Sequence, residues 1–192
     1  RLTDVTGVQT CALPILAVYR PSLITASLRG HYIRHDITAR VLSYMIRHKV
    51  AVDVDNQISF LPADVAADNL IALSRLAESP ATTYHLTADR YYSFPVVTEA
   101  ITRRFGYGFR YVDVEAFVDH INHHFTKRDL LYPLVPFFNK NFRKLDRMRH
   151  KRYDNRNYRA GRELSAACCP EPPLEETVGA IVEFLRREQL LP

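Results

Sequence analysis

Between residues 16 and 114, short apolar, β-rich runs alternate with longer segments whose apolar residues recur every three to four positions, and this alternation limits the fold more than any other feature. A strand covered on both faces reads as a continuous apolar run, whereas a helix lying on a sheet needs one apolar stripe. Residues 16–24 form such a run, and polar, Gly-containing loop sequence follows over 25–35. Asp36 is placed to cap a helix reaching residue 49, with Ile37, Val41, Tyr44, Met45 and His48 on one face. Residues 50–54 and 58–61 are β-prone, and Pro62 with Asp64 opens a second helix that carries Val65, Asn69, Ala72 and Leu76 and closes at Ser79 and Pro80. Residues 81–87 have strand composition. Ser93 is expected to cap a third helix with Pro95 in its first turn, where a missing amide is harmless, and Gly106 to end it before a strand over 109–114. This order predicts an α/β assembly. Residues 115–145 then turn helical, with a break after Leu130 forced by Pro133 and Pro136. Residues 144–160 read as a charged connection, and Leu174, Val178, Ile181, Val182 and Leu185 share the face of a last helix between Pro172-Pro173 and Leu190.

The leading residues stand apart from this pattern. Residues 5–15, VTGVQTCALPI, resemble a translated sequencing adapter, so residues 1–15 are expected to be an artefactual leader and the natural frame to resume at Leu16 or Ala17. Gly7, Cys11 and Pro14 then carry no function. The rest of the 192-residue chain has the composition of an ordinary globular protein, 47% hydrophobic, with no run approaching the roughly 18 apolar residues of a membrane span. Outside the leader the cysteines are Cys168 and Cys169, an adjacent pair without the C-x-x-C spacing that converges two thiolates, which predicts a reduced, cytoplasmic protein.

The net charge of +5 is uneven: residues 140–162 hold ten Lys and Arg against Asp146 and Asp154. Phe142, Tyr153 and Tyr158 lie among those charges, so phosphate contacts and base stacking are both available, but no nucleic-acid-binding motif accompanies them and a solvated face is the simpler expectation. His120, His123 and His124 with Glu115 fall at helical spacing, yet without the H-E-x-x-H arrangement they are expected to be a solvated or packed face, and no metal is expected. His85, in a strand, is expected to be structural. Asp64 has two readings, a helix N-cap and, less favoured, placement of a substrate loop.

Three motifs carry a family resemblance. Ala17-Val18-Tyr19-Arg20-Pro21-Ser22-Leu23-Ile24-Thr25 is similar to the strand and loop that follow the catalytic helix of extended short-chain dehydrogenases, specifically thioester and fatty-acyl reductases. Ile58-Ser59-Phe60-Leu61-Pro62-Ala63-Asp64-Val65 resembles their strand-to-helix turn, and Thr83-Tyr84-His85-Leu86 the strand closing that unit. Arg156-Asn157-Tyr158-Arg159, Pro170 and the final helix resemble the end of reductase domains that terminate peptide- and polyketide-assembly lines. The resemblance implies the C-terminal portion of a Rossmann-like NAD(P)-binding fold, with residues 16–90 ending the sheet and 91–191 forming a mainly helical substrate subdomain.

It also implies a parent enzyme that uses NADPH to reduce an acyl thioester, bound to acyl carrier protein or coenzyme A, to an aldehyde or alcohol. The family's Gly-rich pyrophosphate turn and catalytic Tyr-x-x-x-Lys precede the matched strand and do not occur in this sequence, so no catalytic residue is assigned and this chain alone is expected to be inactive. The match places Arg20, Pro21, Ser22 and Leu23 beside the nicotinamide and Tyr32 and Asp36 toward the substrate. A sugar-nucleotide epimerase or dehydratase of the same fold and a non-enzymatic basic binding module are the alternatives.

Overall fold

The computed structural model describes residues 17–30, 36–76, 83–146 and 152–191, with side chains of 142–146 excepted. The adapter-like leader, Tyr32, Ser79 and Pro80 lie outside these residues. The strands are β1 (Val18–Pro21), β2 (Ile24–Thr25), β3 (Val50–Val52), β4 (Gln57–Ile58), β5 (Leu61–Pro62), β6 (Thr83–Leu86), β7 (Tyr92–Ser93) and β8 (Arg110–Val112). The helices are α1 (Ile37–His48), α2 (Ala63–Ser74), α3 (Phe94–Phe105), α4 (Val114–His124), α5 (Val135–Asp146), α6 (Arg156–Leu164) and α7 (Leu174–Arg187).

The strands pair non-sequentially. β1 runs parallel to β6, with Tyr19 opposite Tyr84 and the two rings stacked at 5.4 Å. β2 is parallel to β5 and β3 to β8, while β4 and β7 are antiparallel. Parallel pairing requires crossover connections, and helices supply them. Two apolar clusters result. One gathers β3, α1, α3, α4 and α7 around Met45, Ile101, Ile121 and Ile181, and the other gathers β6, α2 and α6 around Leu73, Tyr84 and Tyr158.

Local chemistry explains most boundaries. Asp36 accepts a hydrogen bond from the Ala39 amide at 3.3 Å and starts α1, and Asp113 does the same for α4 through the Ala116 amide at 2.8 Å. Gly106 ends α3 at φ +76°, a left-handed conformation that glycine adopts without strain. The five stripe residues expected on α7 are all buried.

Three expectations change. Ser93 occupies the N-cap position of α3 but makes no side-chain cap bond. The helical stretch after residue 114 ends after His124, six residues before the break expected after Leu130, because the Asp129 carboxylate takes the Thr126 amide at 2.7 Å and folds 126–131 into a turn; Pro133 and Pro136 then sit in starting turns. Residues 156–160, read as connection, open α6, whose buried stripe is Tyr158 and Gly161 among charges.

Gly161 is required by packing. A Cβ there would lie 2.5 Å from Leu73 Cδ2 and 3.1 Å from Tyr84 Cε1, inside the second core. At Gly179 the nearest atoms belong to the Arg104 guanidinium, which can swing toward solvent. Overpacking at 161 outweighs the better helix propensity of alanine, so Gly161→Ala is expected to destabilise by about 1 kcal/mol net. Gly179→Ala is expected to stay within about 0.5 kcal/mol of wild type. Urea unfolding of both variants measures the contrast.

Candidate functional site

The carboxyl ends of parallel strands form the rim of an apolar cavity of about 390 Å³. Such crevices are where α/β sheets bind ligands, because the strands end there without backbone partners and loops can shape the space. β1 delivers Ser22 and Leu23, β3 delivers Val52, Val54 and Asn56, and α4, which follows β8, begins there with Val114. The walls come from the apolar faces of α1, α4 and α5. None of the described residues lining the cavity is Asp, Glu, Lys, Arg or His.

Burial gives the cavity a direction. Thr38, Val41 and Met45 of α1 and Phe117 and Val118 of α4 are buried and form its floor, with Val52, Val54, Ser59 and Phe138 buried beside them. Ile37, Gln57, Phe137 and Tyr153 are exposed and mark its mouth. The polar groups concentrate on the strand-end side. Ser22 donates its amide to Leu86 O at 3.0 Å, which fixes the β1–β2 loop, while Ser22 Oγ and Thr25 Oγ1 are buried without a hydrogen-bond partner among the described residues. Ser59 Oγ lies 3.0 Å from Thr87 Oγ1, which lies 3.4 Å from Tyr91 Oη, and Tyr91 Oη accepts the Tyr153 amide at 3.1 Å. Arg152 stacks over the Tyr91 ring at 5.3 Å and hydrogen-bonds Gln57. Residues 152–153 are thereby strapped beside the mouth.

Of the residues expected from sequence, Ser22 and Leu23 reach this cavity. Arg20 and Pro21 belong to β1, are exposed, and stand opposite His85 and Leu86 in the ladder rather than in the cavity wall. Asp36 holds the Ala39 amide, and it is the residues after it, Ile37 and Thr38, that line the space. The sequence reading missed Tyr91, Phe117, Phe137 and Phe138 and took Tyr153 as part of the basic run; the Phe137-Phe138 pair after Pro136 was the local signal for an apolar wall.

Asp64 is not the N-cap. Pro62 is the N-cap of α2, and Asp64, in the first turn, accepts the amides of Leu28 and Arg29 at 3.2 Å each as well as that of Val65 at 3.1 Å. It anchors the loop after β2. Burial alone would raise its pKa, but the Leu28 amide, the Ser27 side chain and the Val65 amide outweigh burial and hold it below the ordinary value. Its stabilising contribution is therefore present above the unfolded carboxylate pKa of about 4 and is lost as pH falls through the lower folded value. Asp64→Ala is expected to remove about 2 kcal/mol at pH 7 and progressively less below pH 4, measured by thermal melts across pH.

His120 Nδ1 lies 2.9 Å from Tyr44 Oη, its ring packs 4.4 Å from that of His124, and His123 Nδ1 contacts Asp119 O at 2.8 Å. Burial and the neighbouring His124, His48 and Arg110 keep the His120 pKa below its usual value. No group of three or more His, Cys, Asp or Glu among the described residues is arranged to hold a metal. His85 Nδ1 contacts Asp154 O at 2.9 Å. In the basic run, Arg156 pairs with Asp154, whose carboxyl it holds down at about 2, and Arg159 and Arg162 both face Asp89. No described helix is long and apolar enough to cross a membrane.

No protein-family profile matches the sequence, and no curated protein matches it. Solved structures do. A terminal R domain from the myxalamid PKS-NRPS biosynthetic pathway is 22% identical with a TM-score of 0.79 over 91% of this chain and 45% of its own. A thiolation-reductase di-domain from an archaeal non-ribosomal peptide synthetase is 15% identical, TM-score 0.67, over 97% of this chain and 39% of its own. RMD from Pseudomonas aeruginosa, complexed with NADPH, is 11% identical, TM-score 0.53, over 96% and 55%. The chain has the fold of part of a reductase domain. It spans less than half the length of the first two, and its strand pairs and crossover helices form an α/β, Rossmann-like architecture at this reductase-domain level.

Proposed function

We propose that this chain is the substrate-side portion of an NADPH-dependent reductase that converts an acyl thioester, carried by an acyl carrier protein or coenzyme A, to an aldehyde or alcohol in the cytoplasm. The observation that carries this reading is the apolar cavity, with no charged side chain among its described lining residues, whose mouth meets the Ser22-Leu23 loop at the carboxyl ends of parallel strands. The fold shared with reductase domains supports it. A sugar nucleotide would bring a diphosphate that no described lining residue could neutralise, and several arginines of the described basic run already face carboxylates, which disfavours the binding module.

The residues present fit one end of a dinucleotide. Ser22 Oγ, buried and without a partner among the described residues, is a hydrogen-bonding group for an amide at the strand ends, and Leu23 offers an apolar edge beside it. When bound, the reduced nicotinamide supplies the hydride that the thioester carbonyl carbon accepts. The chain's own residues hold the acyl group in the cavity, exclude water from it through Phe137 and Tyr153 at the mouth, and fix the Ser22-Leu23 loop against Leu86. In this reading the groups that bind the pyrophosphate and donate the proton belong to the preceding part of the protein.

The test is stoichiometry. The whole gene product, incubated with NADPH and decanoyl-coenzyme A, is expected to release free thiol in proportion to the NADPH consumed, with decanal or decanol formed. Thiol release without NADPH loss would make it a hydrolase, and no reaction with any acyl thioester would overturn the reading.

A further inference from the structure

We infer that the cavity selects an uncharged hydrocarbon acyl chain of about a dozen non-hydrogen atoms, its tail directed at Met45 and its carbonyl end at the Ser22-Leu23 loop. This deepens the reductase reading and rests on it for the thioester. Three observations carry it.

The first is size. At about 30 Å³ per water-sized group, the 390 Å³ of space admits about a dozen such groups. The second is chemistry. The described lining contains no carboxylate, amine, guanidinium or imidazole, so a charged acyl substituent would find no counter-ion among the described lining residues, and a buried unpaired charge is strongly disfavoured. The third is polarity along the cavity. On α1 and α4 the described lining has one hydroxyl, that of Thr38, two turns from Met45, whereas Ser22, Asn56, Gln57 and Ser59 gather at the strand-end side. A chain with a polar carbonyl head and an apolar tail matches that gradient in one orientation. A peptidyl chain, with amides along its length, would leave donors and acceptors unpaired against the floor, and an aminoacyl group would bring an ammonium with no carboxylate among the described lining residues.

The experiment uses the whole gene product and non-reducible amide analogues of acyl-pantetheine from four to eighteen carbons, with affinity measured by calorimetry. Each added methylene should tighten binding about fourfold up to ten to twelve carbons, with no gain beyond. A decanoyl analogue bearing a terminal amine or carboxylate should bind at least about a hundredfold more weakly than its uncharged counterpart. Met45→Ala, which removes three non-hydrogen atoms from the floor, should move the break two to three carbons longer. Affinity independent of chain length, or equal binding of the charged analogues, would overturn the inference whatever the variant does.

The two readings separate cleanly. If the analogues bind as described but no thioester consumes NADPH, the selectivity stands and the reductase reading falls. If charged aminoacyl thioesters are reduced with the same kcat/KM as decanoyl, the reductase reading stands and the selectivity falls.

Discussion

Asn69→Ala is expected to destabilise the chain by about 3 kcal/mol, one of the two largest single-residue effects on this fold. Asn69 is fully buried on α2 and satisfies three groups from other elements. Its Nδ2 donates to Tyr158 Oη at 2.7 Å and to Cys169 O at 3.2 Å, and its Oδ1 accepts the Cys169 amide at 2.6 Å. Truncation strands the buried Tyr158 hydroxyl away from water and unpairs the half-buried Cys169 amide and carbonyl, and each orphaned buried group costs roughly 1–3 kcal/mol. Tyr158→Phe removes one of these bonds and is expected to cost about 1 kcal/mol. In a double-mutant cycle the two changes should be non-additive by about 1 kcal/mol, since they share a bond. Urea denaturation of the four proteins measures this. An Asn69→Ala loss below 1 kcal/mol would mean that the joint between α2, α6 and residue 169 contributes little.

Asp129→Ala is expected to be comparably damaging, about 3 kcal/mol at pH 7, and to change how stability depends on pH. The Asp129 side chain is 1% exposed, and its carboxylate accepts from Arg47 Nε at 3.2 Å, from the Thr126 amide at 2.7 Å and from Thr126 Oγ1 at 3.0 Å, with His48 Nε2 at 3.2 Å. It ties the last turn of α1 to the break between α4 and α5. Burial alone would raise its pKa, but the Thr126 amide, His48 and the Thr126 hydroxyl outweigh burial and hold it below the ordinary value. Its contribution is therefore fully present above the unfolded value of about 4 and lost as pH falls through the lower folded value. The melting temperatures of wild type and Asp129→Ala should lie far apart at pH 7 and converge below pH 4. A constant gap down to pH 2 would contradict the assignment.

What the sequence revealed followed the range of the interactions. The Asp36 cap, the Gly106 stop and the α7 stripe are set by residues within one or two turns, and all three were legible. Asp64 was read through its own helix, but its partners Leu28 and Arg29 lie 36 and 35 positions away, and the long-range bonds decided its role. α6 escaped because its buried contacts, Tyr158 with Asn69 and Gly161 with Leu73, are tertiary, and its remaining residues carry the charge of a loop. The resemblance found the Ser22-Leu23 rim but not the cavity behind it. That cavity exists because α1, α4 and α5, separated along the chain, turn apolar faces to one space.

The most direct measurement of the central claim is photolabelling of the whole gene product with a decanoyl-pantetheine amide bearing a diazirine at the tail, read by mass spectrometry. The account predicts labels on the cavity floor, at Met45, Phe117 or Val118, that excess unlabelled analogue suppresses. Labels confined to the basic surface of residues 152–162, or insensitive to competitor, would contradict it.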